Sequence, residues 1–152
     1  MPGERCLIDT NVLIRSVQPE GSEFRVVDRA IHRLEETDSA PCYTSQNLGE
    51  FWNVVTRPAN RNGYGLTPSE TDTRANKIEA KFRLLPDTLA VHLEWRRLLV
   101  IHRVSGTQVH DTRLAAAMHV HGVKRILTFN TRDFARFTGI QAIHPSDLSQ
   151  SG

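Results

Sequence analysis

The apolar pair Leu7-Ile8 runs into Asp9-Thr10-Asn11 and resumes as Val12-Leu13-Ile14, which places a carboxylate where a short apolar strand gives way to a helix. In open parallel α/β sheets, ligands collect outside the carboxyl ends of the strands. An Asp at that address points toward whatever site the fold builds, while Thr10 and Asn11 are able to cap the helix that follows. Taken alone, the pattern is better explained as an N-cap or Asx-turn aspartate without chemistry. Its meaning depends on whether other acids fall at comparable positions.

A length of 152 residues suits one compact domain that buries well over half of its unfolded surface. The expected domain is 1–148, with a short tail at 149–152. The 19 Lys and Arg against 17 Asp and Glu give a net charge of +2, compatible with basic patches around an acidic centre. Cys6 and Cys42 lie in apolar, strand-like segments without C-x-x-C spacing and read as buried free thiols. His119 and His121, two apart in a helical pattern, point to different faces and make a poor metal pair. No apolar run is long enough to span a membrane and no basic-then-apolar leader opens the sequence, so a soluble, cytoplasmic setting is expected.

Periodicity divides the chain into alternating strands and helices. Residues 4–9 read as a buried strand, 10–17 as a helix stopped by Pro19-Glu20-Gly21, and Ser22 as the cap of a helix to Glu36 with Phe24, Val27, Ile31 and Leu34 inward. Residues 41–44 form a second strand. A third helix runs to Arg57 with Leu48, Phe51, Trp52 and Val55 as its stripe; Glu50 falls on the far side of the wheel and reads as a surface acid.

Residues 57–65 read as a mobile loop carrying Arg57, Arg61 and Tyr64. Thr67-Pro68-Ser69-Glu70 is a capping box that opens a fourth helix, on which Arg74, Lys77 and Lys81 share a face. A short edge strand at 82–86 and a fifth helix at 88–101 follow, the latter packing through Leu89, Leu93 and Trp95 to Leu99. The sixth helix begins at His110-Asp111 and ends on Gly122. Strands at 125–128 and 140–143 complete a mostly parallel sheet.

Three acids then share one topological address. Asp9 follows the first strand, Asp111 opens a helix, and Asp133 lies just past the strand ending at Thr128. Gathered carboxylates repel one another and persist where a hard, oxygen-preferring cation such as Mg²⁺ or Mn²⁺ compensates them. On a mildly basic chain that profile points to metal-assisted phosphodiester hydrolysis. Asp111 alone fits equally well as an N-terminal acid on the helix dipole.

Four segments together resemble the PIN domain, and within it the VapC-like toxin ribonucleases: Leu7 to Ile14, Asn47-Leu48-Gly49-Glu50-Phe51, Val104 to Ala117, and Ile126-Leu127-Thr128-Phe129-Asn130-Thr131-Arg132-Asp133-Phe134. The resemblance covers nearly the whole chain. It implies a flavodoxin-like three-layer α/β/α sandwich and a Mg²⁺- or Mn²⁺-dependent endoribonuclease in which Asp9, Glu50 and Asp111 hold metal, which reverses the surface reading of Glu50. Many relatives carry Asp two residues after the Thr, where Asn130 stands here; Asn130 or Asp133 would fill that position, and Thr128 and Thr10 would orient water or ligands. Similar toxins are homodimers, inhibited by an antitoxin that covers the acidic site. Arg57, Arg61, Arg74, Lys77 and Lys81 are the candidate RNA contacts.

Other readings fit less well. A phosphatase of the haloacid dehalogenase type needs a second Asp two residues after the first, where this chain has Asn11, and a receiver domain needs an acidic pair and a late Lys. The alternative to a nuclease is a PIN fold that binds RNA or protein without cutting.

Overall fold

The computed structural model describes residues 4–149. Among them are the strands β1 (Arg5–Ile8), β2 (Ala40–Thr44), β3 (Arg83–Leu85), β4 (Arg125–Leu127) and β5 (Gln141–Ile143). The helices are α1 (Thr10–Ser16), α2 (Phe24–Glu36), α3 (Ser45–Thr56), α4 (Pro68–Lys81), α5 (Leu89–Ile101), α6 (Gln108–His121) and α7 (Pro145–Ser149). The strands form one sheet in the order β3-β2-β1-β4-β5 with every pairing parallel, so the mostly parallel sheet expected from the alternation is what forms.

β1 lies at the centre and is covered on both sides, which is why it reads as a continuous apolar run rather than an alternating one. Cys6 and Ile8 pack with Val12, Val27, Ile31 and Phe51 on one face, and Leu7 packs with Val91, Leu98, Leu114 and Met118 on the other. The three layers follow: α1 to α4 lie on the first face, and α5 and α6 on the second. Both cysteines are buried free thiols on neighbouring strands, in opposite layers.

The chain moves outward from β1 to β2 and β3, then returns through α5 and α6 to place β4 on the other side of β1. The carboxyl ends of β1 and β4 therefore flank the point where the strand order reverses, where α/β sheets form their ligand crevice. The Asp9 amide donates to Leu127 O (3.0 Å), which fixes the residue after β1 beside the end of β4.

The strand read at 41–44 forms as β2 with Pro41 inside it, although β2 is an interior strand and proline cannot donate to a ladder. It is accommodated because β3 begins pairing only at Cys42, leaving Pro41 opposite β1 alone. Other local expectations are corrected: Ser22 does not cap α2; Glu23 occupies that position without a side-chain cap bond and instead accepts from Arg15 (2.6 Å). Leu89 and Leu93 do not pack: they are 73% and 59% exposed, because Val91 and Leu98 on the opposite side of α5 are the buried residues. α7 was not anticipated; it packs on α2 and includes Ser149, while the rest of the expected tail lies outside the described residues.

Phe51 is fully buried in the α1–α4 layer, one residue from Glu50. Phe51→Ala should cost about 3–5 kcal/mol of unfolding free energy by denaturant titration. A loss below about 1 kcal/mol would show that this layer does not depend on it.

Candidate active site

Asp9 is itself the N-cap of α1, so the capping role expected of Thr10 or Asn11 falls to the acid. Its backbone is extended (φ −66°, ψ 158°), and its carbonyl starts the helix by accepting from Val12 N and Leu13 N. Only 7% of the residue is exposed. Oδ1 accepts from Thr10 N (2.8 Å) and Oδ2 from Thr128 Oγ1 (2.8 Å). A threonine hydroxyl has one proton and two lone pairs, and those of Thr128 are all used: the proton goes to Asp9, while Asn130 N (3.0 Å) and Asn11 Nδ2 (3.4 Å) donate to the oxygen. Asn11 Oδ1 accepts from Phe129 N (3.3 Å). Asn11 thus joins the two strand ends.

Glu50 is half-buried on α3, which corrects the surface assignment that helical periodicity gives it. Thr10 Oγ1 donates to Glu50 Oε1 at 2.7 Å and accepts from Asn47 Nδ2 at 3.1 Å. Asn47 opens the Asn47 to Phe51 segment of the family resemblance, but the only sign of a role of its own is its place three residues after Thr44, a capping-box spacing with Asn in place of Glu or Gln. Asp111 lies in the first turn of α6, half-buried.

Asp9, Glu50, Asp111, Asn130 and Asp133 line one open cleft of about 380 Å³, together with Thr10, Asn11, Ile14, Asn53, Val54 and Arg57. The acids converge from four segments, and Asn130 and Asp133 both reach the mouth from the turn after β4. Sequence reasoning did not single out Asn53, which follows Glu50 by one helical turn. Of the candidate RNA contacts, Arg57 is brought to the cleft, with its Nε buried and unpartnered. Arg61, Arg74, Lys77 and Lys81 are not among the lining residues. Arg74 donates to Val17 O (2.9 Å), and Lys77 and Lys81 are exposed on α4. The segment expected as a mobile loop is tied back: Gly65 N donates to Arg57 O (2.8 Å) and Leu66 N to Val55 O (2.9 Å). Gly63 passes so close that a Cβ there would sit 2.1 Å from Arg57 O.

Burial pushes the Asp9 carboxyl up to about 6, against the lowering effect of the Thr128 and Thr10 hydrogen bonds, with Glu50 and Asp133 adding repulsion. Asp111 is pushed to about 7, first by burial and then by Asp9, Asp133 and Glu50. Among the described residues, no group of three His, Cys, Asp or Glu forms a ready-made metal cage. The donors in the cleft are nonetheless carboxylate, amide and hydroxyl oxygens. That set suits Mg²⁺ or Mn²⁺ better than zinc, and Mg²⁺ uses one or two carboxylates while keeping several waters.

The PIN domain family model matches residues 6–140, and the chain belongs to that family. No curated protein matches the sequence. Among solved structures, the fold is similar to VapBC2 from Rickettsia felis bound to a promoter DNA fragment, at 11% identity over 92% of this chain and 98% of that one, TM-score 0.69. It is also similar to DNA-bound VapBC from Salmonella typhimurium, at 16% identity over 94% and 98%, TM-score 0.66. A third is VapC20 from Mycobacterium tuberculosis, a sarcin-ricin loop cleaving toxin, at 15% identity over 90% and 98%, TM-score 0.63. The three-layer α/β/α architecture expected from sequence is thus the PIN fold.

The raised carboxyls give the metal-free protein a defined pH dependence. A carboxyl whose folded pKa lies above its unfolded value binds more protons when native, so it stabilises fully below pH 4 and that contribution is lost as pH rises through about 6 to 7. Glu94, held down to about 2 chiefly by Arg97, acts in the opposite sense and at lower pH, its contribution lost as pH falls below about 4.5. In chelator, Asp9→Asn should therefore melt higher than wild type at pH 8, by on the order of 1 kcal/mol, and close to it at pH 4. Equal melting at both pH values would show that ionising the buried Asp9 carboxyl costs the fold nothing.

Proposed function

We propose that this protein is a divalent-metal-dependent endoribonuclease of the VapC type, the toxin of a type II VapBC-like pair. The observation that carries the reading is the cleft at the sheet's switch point, where Asp9, Glu50, Asp111 and Asp133 converge and burial, with the neighbouring acids adding to it, raises the carboxyls of Asp9 and Asp111. Asp9, Glu50 and Asp111 would hold Mg²⁺ or Mn²⁺, with Asn130 or Asp133 in the fourth position. Such an ion supplies charge for the phosphodiester transition state and acidifies water. Thr128 and Thr10 hold Asp9 and Glu50 in place through single donated protons. Arg57, as the guanidinium at the cleft, would take a substrate phosphate, and Arg61, Arg74, Lys77 and Lys81 would steer RNA from farther out.

The partners that follow are an RNA substrate, a cognate antitoxin covering the acidic cleft, and a second copy of the chain, in a cytoplasmic setting. Among the described residues no helix is long and apolar enough to cross a membrane. Exposed Leu89, Leu93 and Val100 on α5 favour self-association. The competing reading, a PIN fold that binds RNA or protein without cutting, makes the acids dispensable.

Cleavage of structured RNA should require Mg²⁺ or Mn²⁺, stop in chelator and fall at least about a hundredfold in Asp9→Asn and Glu50→Gln. Undiminished cleavage by either variant would overturn the assignment. In filter binding, Arg57→Ala should lower the salt slope of RNA affinity by about one. Neutralising Arg74, Lys77 and Lys81 together should weaken and flatten it further, and an unchanged slope would remove those residues from the interface. Light scattering should report a dimer at micromolar concentration.

A further inference from the structure

Asn47 is fully buried although its side chain is a primary amide. An amide is tolerated there only when its polar atoms find partners. Asn47 Oδ1 accepts from Thr44 N and Thr44 Oγ1 (both 2.9 Å), and Asn47 N donates to Thr44 Oγ1 (3.1 Å), which closes the N-terminus of α3. A cap uses only that end of the side chain. The other end leaves α3 and reaches across to α1, where Nδ2 donates to Thr10 Oγ1 (3.1 Å).

That donation determines where the Thr10 hydroxyl sends its proton. With a lone pair filled by Asn47, the hydroxyl donates to Glu50 Oε1 at 2.7 Å. The chain Asn47 to Thr10 to Glu50 joins the cap of α3 to an acid one helical turn further along the same helix, through a residue of a different helix. Glu50 would otherwise be a half-exposed side chain with three free torsions.

We propose that Asn47 is a positioning residue: acting through Thr10, it fixes the Glu50 carboxylate in the orientation that receives a divalent cation. This rests on the metal-site reading given above. Asn47→Asp keeps the shape and the cap acceptor but replaces the donor with an acceptor, which draws the Thr10 proton away from Glu50. Asn47→Ser keeps neutrality and is too short to reach Thr10.

Mn²⁺ binding by the intact chain, followed by titration calorimetry without RNA, tests this. Asn47→Asp, Asn47→Ser and Thr10→Val should each weaken Mn²⁺ roughly tenfold or more, and Thr10→Ser, which keeps the hydroxyl, should recover most of the loss. Added negative charge alone would tighten cation binding, so weakening in Asn47→Asp is not a charge effect. The double variant Asn47→Ser/Thr10→Val should lose little more than the weaker single variant, since both break one chain. If Asn47 serves only as a cap, its variants melt lower yet bind Mn²⁺ as wild type does, which overturns the inference. Fully additive losses overturn it as well. Binding that disappears in Asp9→Asn but persists in the Asn47 variants sinks this inference alone, whereas wild type that takes up no Mn²⁺ sinks the metal reading with it.

Discussion

A carboxylate can sit almost out of water at the end of a central strand only if its oxygens are supplied with hydrogen-bond donors. Asp9 receives one from the first amide of α1 and one from Thr128 across the sheet. Thr128 in turn is oriented by Asn11 and by the backbone of Asn130. The polar side chains beneath the cleft therefore form a closed arrangement in which each hydroxyl is committed to one acid. Such networks are rigid when complete and costly when a member is missing, so β1, β4 and the starts of α1 and α3 hold one another in register.

Asp111 is placed by different means. The Ala115-Ala116-Ala117 run on α6 is buried in the core that also holds Leu7 of β1 and Ile126 of β4. α5 secures it from outside: Trp95 Nε1 donates to Val109 O (2.9 Å), and Glu94 bridges Arg97 and His119. Arg113 adds a cation over the Trp95 ring and an ion pair to Asp87. Layer packing thus presents Asp111, whereas hydrogen bonds present Asp9 and Glu50.

This difference explains what could be read in the sequence. The β1–α1 junction was legible because strand burial and helix initiation are local and Asp9 lies at their boundary. Asp111 and Asp133 were legible from their places at the start of a helix and the end of a strand. Glu50 was not, because helical periodicity separates apolar from polar sides, and a side chain facing an acidic cleft is polar for a reason that the wheel cannot distinguish from solvent. Leu89 and Leu93 were misread for the converse reason: α5 carries apolar residues on both sides, and its burial is decided by α6. The role of Asn47 was missed because its Nδ2 bond is to Thr10, a residue far away in the chain. The strand containing Pro41 was read correctly, and the staggered start of β3 is what lets a proline stand in an interior strand.

Thr128 lies 119 residues beyond the aspartate to which it donates its proton. It directly follows β4, and a fragment that stops before residue 125 leaves β1 without its β4 neighbour as well. Such a fragment also lacks Leu127, which is buried in the same core as α1 to α4. The two ends of the sequence thus have to meet before the central acid has both of its donors.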